Sequence, residues 1–392
     1  MITSPLGFRA AAVASGIKPD RLDLALVVAD RPSPAAGVFT ANRVKAAPVL
    51  VSRDHLAAGR ARAIVANAGC ANAATGAGGL RDARDMAAAV AAALGCEAEE
   101  VVVASTGVIG VPLPMDKVRA GIVRGVAALS VEGGPEAARA IMTTDTRPKE
   151  VRVEVPLGST TAVIGAMAKG AGMIAPNLAT LLAFFTTDAA VPGDLLQRAL
   201  REAVGDSLNR ITVDGDTSTN DCAVILASGA RLGAAVTEGG TFNAFRRGLV
   251  EASRRLAEML VRDGEGVTRI AEVRVEGARS GGEADRVART VAESPLVKTA
   301  LHGRDPNWGR ILAAVGRSGV DLDVDQVAIW IGDVWVAEGG HARAYEEKDA
   351  AKAMLEDPVR FRIRLGDGSA SGWMWTSDFS HGYVDINAHY RS

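Results

Sequence analysis

At 392 residues the chain is long enough to bury a large core, and its length predicts two domains. A hydrophobic content of 48% with 23% charged residues fits a soluble globular protein, and a net charge of −2 gives no electrostatic case for nucleic acid or an anionic membrane as partner. Cys70, Cys96 and Cys222 stand far apart without CxxC spacing, which argues against zinc and disulfides and for a reducing, cytoplasmic setting.

Taken in chain order, MITSPLGFRAAAVASGIK lacks the apolar core and cleavage site of an export signal. Residues 22–28 alternate as a strand, and 37–40 and 63–66 read as further strands. Turn-rich segments follow at 67–73 and 75–79, then an amphipathic helix over 82–94 and a strand at 101–104. The apolar part of that helix, 86–94, is too short to cross a bilayer. Helices are expected at 115–129 and 135–142, and a hairpin from 151–155 and 161–167. A helix at 195–206, a strand at 223–226 and a long helix at 244–261 come later. Near residue 270 the texture shifts to a strand at 273–276, a helix at 285–293 and a hairpin of 327–331 with 334–337. A helix at 342–355 and a half-exposed strand at 360–365 follow. All five tryptophans lie beyond residue 300, which suggests a second core there. Strands and helices interleave without regular alternation, so a doubly wound parallel sheet is not expected.

The stretch on which the chemistry turns is KGAGMIAPNLATLLAFFTTD, residues 169–188. Gly170, Gly172 and Pro176 break it into a loop, and the run from Leu181 to Thr186 suits a strand buried on both faces. Thr180 stands at the joint. If the Ala179–Thr180 peptide is distorted, Thr180 Oγ can attack the Ala179 carbonyl and form an ester that water cuts. The new chain then starts at Thr180, whose α-amine, titrating near about 7.7–8.0, serves as the hydroxyl's own general base. The bland reading of Ala-Thr before an apolar run is a strand start.

Four other places invite a chemical reading. Thr106 and Gly107 end a strand, where a hydroxyl and a backbone N–H can converge on an oxyanion; the plain alternative is a turn. Thr143-Thr144-Asp145-Thr146 looks like a cap or turn cluster. Lys169, eleven residues before Thr180, can fold back to hold a substrate carboxylate. Glu265, between two glycines, can reach a substrate ammonium. In the tail, Val384 and Ile386 alternate like a strand. Two segments, 209–221 and 302–310, carry clustered polar residues; the first lacks the histidines expected of a transition-metal site. The second reads as an anion-binding loop before a helix or as plain packing.

These motifs together resemble the ornithine acetyltransferase (glutamate N-acetyltransferase, ArgJ-type) family. KGxGMIxPxxATxL matches its processing site, with Leu178 and Leu181 in place of the family's methionines; STGVIG matches its oxyanion segment, and TTDT, GEG and xINAxYRS occur in family order. The resemblance covers essentially the whole chain. It implies self-cleavage between Ala179 and Thr180, with Thr180 as nucleophile and Thr106 and Gly107 as the oxyanion hole. It also implies substrate contacts from Thr143, Lys169, Thr180, Glu265, Asn387 and Ser392. The implied fold is α/β (α+β), a layered αββα core shared by the two fragments, 1–179 and 180–392, with a smaller C-terminal α/β domain. That gives a core at 1–270, a small domain at 271–375 and a tail at 376–392 returning to the active site. The implied reaction is ping-pong transfer of acetyl from N2-acetyl-L-ornithine to L-glutamate in arginine biosynthesis. No bound cofactor and no metal are called for, acetyl-CoA being a possible co-substrate of a bifunctional member. A heterotetramer of two α and two β fragments is expected. Rival readings are a related autoprocessed amidase or aminopeptidase and a non-catalytic small-molecule binder.

Overall fold

The computed structural model describes residues 1–175 and 181–389. Its chain divides into two compact units, one of Met1–Asn209 with Asp216–Leu260, the other of Arg210–Gly215 with the chain from Val261 to His389, the last described residue.

The first unit opens with β1 (Phe8–Val13) and the long β2 (Leu24–Phe39), then α1 (Ala47–His55), β3 (Arg60–Cys70), α2 (Gly76–Leu94), β4 (Val101–Val108), α3 (Met115–Ala127) and α4 (Gly134–Ala140). Strands β5 (Lys149–Leu157), β6 (Thr160–Lys169) and β7 (Leu182–Thr187) follow, then α5 (Gly193–Gly205). The short β8 (Ile211–Thr212) belongs to the other unit, and β9 (Cys222–Ala227) and most of α6 (Gly240–Arg262) complete this one.

Strand β2 makes the architecture. Residues Leu24–Val28 pair with β3, the register breaks between Val28 and Ser33, and Ala35–Phe39 pair with β9. Pro32, which lacks the N–H a continuous ladder needs, lies in that break, and Pro34 follows just after it. The strand thereby passes from a layer ordered β4-β3-β2 to one ordered β9-β7-β6-β5. Alternation along β2 then sorts its side chains. Leu24, Leu26 and Val28 pack under Met86 and Val90 of α2 and Val118 and Ile122 of α3. Ala25, Val27 and Ala29 face inward to a cluster containing Met167, Phe184 and Val224. On the far side, Gln197 of α5 hydrogen-bonds both the N–H and the C=O of Gly37. Helix α6 lies close on β5 and β6, where a Cβ at Gly248 would stand 2.4 Å from Val155 Cγ2. Helices, sheet, sheet and helices are the αββα order expected from the resemblance.

Strand β7 is buried at every residue, as its composition predicts, and runs antiparallel to β6 and parallel to β9. Strands from before and after the Ala-Thr pair therefore share one layer.

The second unit holds β10 (Ile270–Ala278), α7 (Gly281–Ala292), α8 (Pro295–Gly303), α9 (Trp308–Gly316), β11 (Ala328–Ile331) and β12 (Val334–Glu338). After these come β13 (His341–Ala342), α10 (Glu347–Ala353), β14 (Val359–Arg364), β15 (Ala370–Ser377) and α11 (His381–His389). Its sheet runs β13-β12-β11-β14-β10-β15-β8. Val287, Ala288 and Val291 of α7 pack on Val273 and Val275 of β10 in an aliphatic core. The tryptophans are half-buried rather than central. Trp330 stacks on Trp335 at 5.1 Å, with Arg362 over one ring and Arg343 over the other.

Several expectations need correction. The tail is the helix α11, not a strand; Val384 and Ile386 are both exposed, so their alternation reports no buried face. The segment expected to be a turn at 75–79 supplies the first turn of α2, after Thr75 and Asn72 have bonded to each other. The helix expected at 342–355 begins only at Glu347, because His341–Ala342 pair with β12. Strands β1 and β15 and helices α1 and α8 went unread, and the helix expected after the 302–310 loop is α9, which already begins at Trp308.

Candidate active site

Thr106 and Gly107 lie at the end of β4, in parallel register with Ala68 and Gly69 of β3. The approach there is very close. Gly107 has φ +127°, and a Cβ on it would lie 2.4 Å from the Gly69 carbonyl carbon, so only glycine fits. The shelf beneath is tied by polar groups: Ser105 Oγ donates to Asn67 Oδ1 at 2.6 Å, and Asn220 Nδ2 donates to the carbonyls of Ala71 and Ser105.

Lys169 ends β6, largely buried, and its ammonium donates to Thr106 Oγ1 at 3.2 Å. The Thr106 hydroxyl accepts this bond and keeps its own proton to donate elsewhere. Asp145 organises the neighbourhood. Its carboxylate accepts from Lys149 Nζ at 2.6 Å, from the Gly170 N–H at 2.7 Å and from the Thr143 N–H at 3.0 Å. Burial alone would raise its pKa, but the Lys169 and Lys149 ammoniums and these bonds more than offset that and hold it at about 2. So Asp145 fixes the turn that carries Thr143 and the residue after Lys169 with one anion.

Asp221, before β9, is the opposite case. Burial drives its carboxyl well above the ordinary range, although Ser218, Lys169 and the Leu181 N–H all pull it down. Its Oδ2 accepts no hydrogen bond among the described residues. A carboxyl whose ionisation burial disfavours therefore stands one hydrogen bond from the N–H of Leu181, the residue that follows the Ala-Thr pair.

Lys18 also reaches this unit's polar cluster, donating to the Met142 carbonyl at 3.0 Å. Among the described residues no group of histidine, cysteine and acidic side chains is arranged to hold a metal ion.

In the second unit, Glu265 is buried and accepts from Asn387 Nδ2 at 2.8 Å. Gly266 beside it has φ +66° and takes the backbone of Gly382 and Tyr383 where a Cβ would stand, which seats the first turn of α11.

The family model described as "ArgJ family" matches residues 9–392. The chain belongs to the ArgJ family. Among ArgJ relatives, the arginine biosynthesis bifunctional protein of Symbiobacterium thermophilum is 48% identical over 395 residues, spanning 100% of this chain and 98% of that protein. The protein of the same name from Geobacter sulfurreducens is 48% identical over 391 residues, spanning 98% and 99%. A solved ArgJ chain from Bacillus halodurans matches with TM-score 0.52 and 40% identity, covering 54% of this chain and 100% of that one.

In the structure the sequence-derived site residues fall into two groups. Thr106, Gly107, Lys169 and the Thr143 turn come together in the first unit, and Glu265 and Asn387 come together in the second. Ala179, Thr180 and Ser392 lie outside the described residues. The ends of the processing loop are nonetheless joined, since Lys169 and Leu182 are register partners across β6 and β7. Sequence reasoning missed Asp145 as an organiser, Asp221 as a buried acid and Lys18 altogether. Asp145 and Asp221 stood inside motifs already singled out, but a buried carboxylate looks the same in sequence as a solvated one. Lys18 carried no local signal.

Proposed function

We propose that this chain cuts itself between Ala179 and Thr180 and that Thr180 then carries the acetyl group. Membership of the family makes it a bifunctional arginine-biosynthesis protein with ornithine acetyltransferase activity. Thr180 Oγ attacks the acetamide carbon of N2-acetyl-L-ornithine while the Thr180 α-amine takes the hydroxyl proton. The tetrahedral oxyanion sits between the Thr106 hydroxyl and the Gly107 N–H. Collapse breaks the C–N bond, the proton passes to the leaving amine, and ornithine departs. The α-amine of L-glutamate then attacks the Thr180 ester by the same steps in reverse, restoring the free hydroxyl. Thr143, Lys169, Glu265, Asn387 and Ser392 are assigned as substrate ligands from the resemblance.

The observation that carries this reading is the Lys169–Thr106 bond. Two residues 63 positions apart, one assigned to the substrate's carboxylate and one to the oxyanion, meet at 3.2 Å. A reactant held by both has its carbonyl beside the donor pair. A second observation supports the cut. Residues 180–392 make up 54% of this chain, the same share that the whole Bacillus halodurans chain covers. The shared layer of β6, β7 and β9 keeps the fragments associated afterwards. In the first half-reaction acetyl-CoA serves as an alternative donor: Thr180 Oγ takes its acetyl group and the CoA thiol leaves, after which glutamate attacks the same ester. No helix among the described residues is long and apolar enough to cross a membrane, and we place the enzyme in the cytoplasm as a heterotetramer of two α and two β fragments.

The test is direct. Purified protein should run as two fragments, with N-terminal sequencing of the second starting at Thr180, and Thr180→Ala should leave one 40.5 kDa chain. A different new N-terminus, or full activity in an uncut wild type, overturns the mechanism.

A further inference from the structure

Lys18 is a cation that the mechanism above leaves unused, and its placement is built rather than incidental. The loop that carries it is wound on a buried carboxylate. Asp23 accepts the N–H groups of Ser15 at 2.6 Å, Gly16 at 3.0 Å, Ile17 at 2.7 Å and Lys18 at 2.9 Å. That nest of four donors fixes where the Lys18 stem starts. The stem then crosses Gly69, where a Cβ would lie 2.9 Å from Lys18 Cγ, and Gly69 is the register partner of Gly107. The ammonium ends on the Met142 carbonyl, next to Thr143, within electrostatic reach of both Lys169 and Asp145.

Lys149 is buried on Asp145, and Asp145 answers Lys169 as well. Asp23 is held by four N–H groups of its own loop. Lys18 and Lys169 lie within electrostatic reach of each other and repel, so the place beside Lys18 favours a substrate that brings a carboxylate there in addition to the one at Lys169.

The two amino acids of the proposed reaction differ in that respect. Acetylornithine has one carboxylate and a terminal ammonium, whereas glutamate has two carboxylates. Lys169, on the oxyanion threonine, serves the carboxylate nearest the reacting nitrogen. We propose that Lys18 is a specificity-determining residue that receives the side-chain carboxylate of the acceptor glutamate, exchanging the Met142 carbonyl for it. A lysine held by a single backbone carbonyl can make that exchange, since its charge is compact and its stem rotatable. With the donor bound, it stays on Met142.

This inference rests on the proposed acetyl transfer, and ping-pong kinetics separate the two. The wild type, Lys18→Met and Lys18→Arg should be assayed with acetylornithine as donor and with glutamate or glutamine as acceptor. Glutamine is the neutral counterpart of glutamate at the end in question. A charged hydrogen bond lost from the acceptor predicts about a 10–100-fold fall in kcat/KM for glutamate in Lys18→Met. The loss for glutamine, and for ornithine release from acetylornithine, should be at least tenfold smaller. Lys18→Arg should keep much of the preference for glutamate. Formation of the two fragments reports that each variant folds. Equal losses for glutamate and glutamine, or a loss falling as heavily on ornithine release, overturn the assignment while leaving acetyl transfer intact. A wild type that never releases ornithine overturns both.

Discussion

Replacing Asp145 with asparagine removes one negative charge and little volume, and its cost can be worked out from the contacts. The carboxylate is held at about 2 against an ordinary 3.8, with burial opposing and the Lys169 and Lys149 ammoniums prevailing. At 1.36 kcal/mol per pH unit that fall is about 2.5 kcal/mol of folded-state stability. The Lys149 ammonium, itself fully buried, is left without its partner at 2.6 Å, and breaking a buried pair from one side costs about 3–5 kcal/mol. Asp145→Asn should therefore lose about 2.5–5 kcal/mol, a drop of about 5–20 °C in melting temperature for a unit of this size. The sign with pH follows from the depressed value. Stability from this carboxylate is present in full above the unfolded value of 3.8 and fades as pH falls towards 2. Calorimetry should then show a wide gap between wild type and variant at pH 7 that narrows as the pH is lowered from 5 to 3. Adding Lys149→Met to Asp145→Asn should recover part of the loss. A variant within about 0.5 kcal/mol of wild type at pH 7, or a gap unchanged down to pH 3, refutes the role of Asp145.

Thr106→Ala should slow both self-cleavage and acetyl transfer by about 10²–10³-fold, the cost of one oxyanion donor; unchanged rates in a folded variant would return Thr106 to a turn role. Lys298 in the second unit is buried, donates to Thr376 and Ser377, and is pulled by burial from 10.5 to about 7 despite nearby acids. Below pH 7 both states carry the ammonium and the folded one bears its burial; between 7 and 10.5 only the unfolded chain stays charged. Stability should accordingly rise through that window, by up to about 5 kcal/mol. Lys298→Met should flatten the rise, and parallel melting curves for the two proteins would refute it.

Much of the fold was legible because periodicity reports burial directly. The β7 run, the β5–β6 hairpin and the β11–β12 hairpin across Gly332 and Asp333 all announce themselves by alternation and turn residues. The tail misled for the same reason, since Val384 and Ile386 alternate without facing a core. Helix α8 went unread and α9 was expected too late because Pro295 and the polar 302–310 segment resemble loops; in the fold Pro295 opens one helix and Asn307 caps the next, its Oδ1 accepting the Arg310 N–H. The oxyanion pair and Lys169 were found through motif wording. Their supports were not. Nothing in the motifs themselves says that Asp145 will meet Gly170, or that the Lys18 stem will cross Gly69, because the first meeting needs the register of β5 on β6, with Lys149 beside Ala168, and the second the pairing of Leu24 with Asn67.

The central claim is an acetyl group resting on Thr180 between two half-reactions, and one measurement reaches it directly. Purified enzyme mixed with acetylornithine alone should release about one equivalent of ornithine per site and stop, then resume when glutamate is added. Mass spectrometry of the stalled protein should find a single acetyl on the fragment that begins at Thr180. Sustained ornithine release with no acceptor would mean that water takes the ester and the protein is an amidase. No release until both substrates are present would remove the acetyl-threonine altogether.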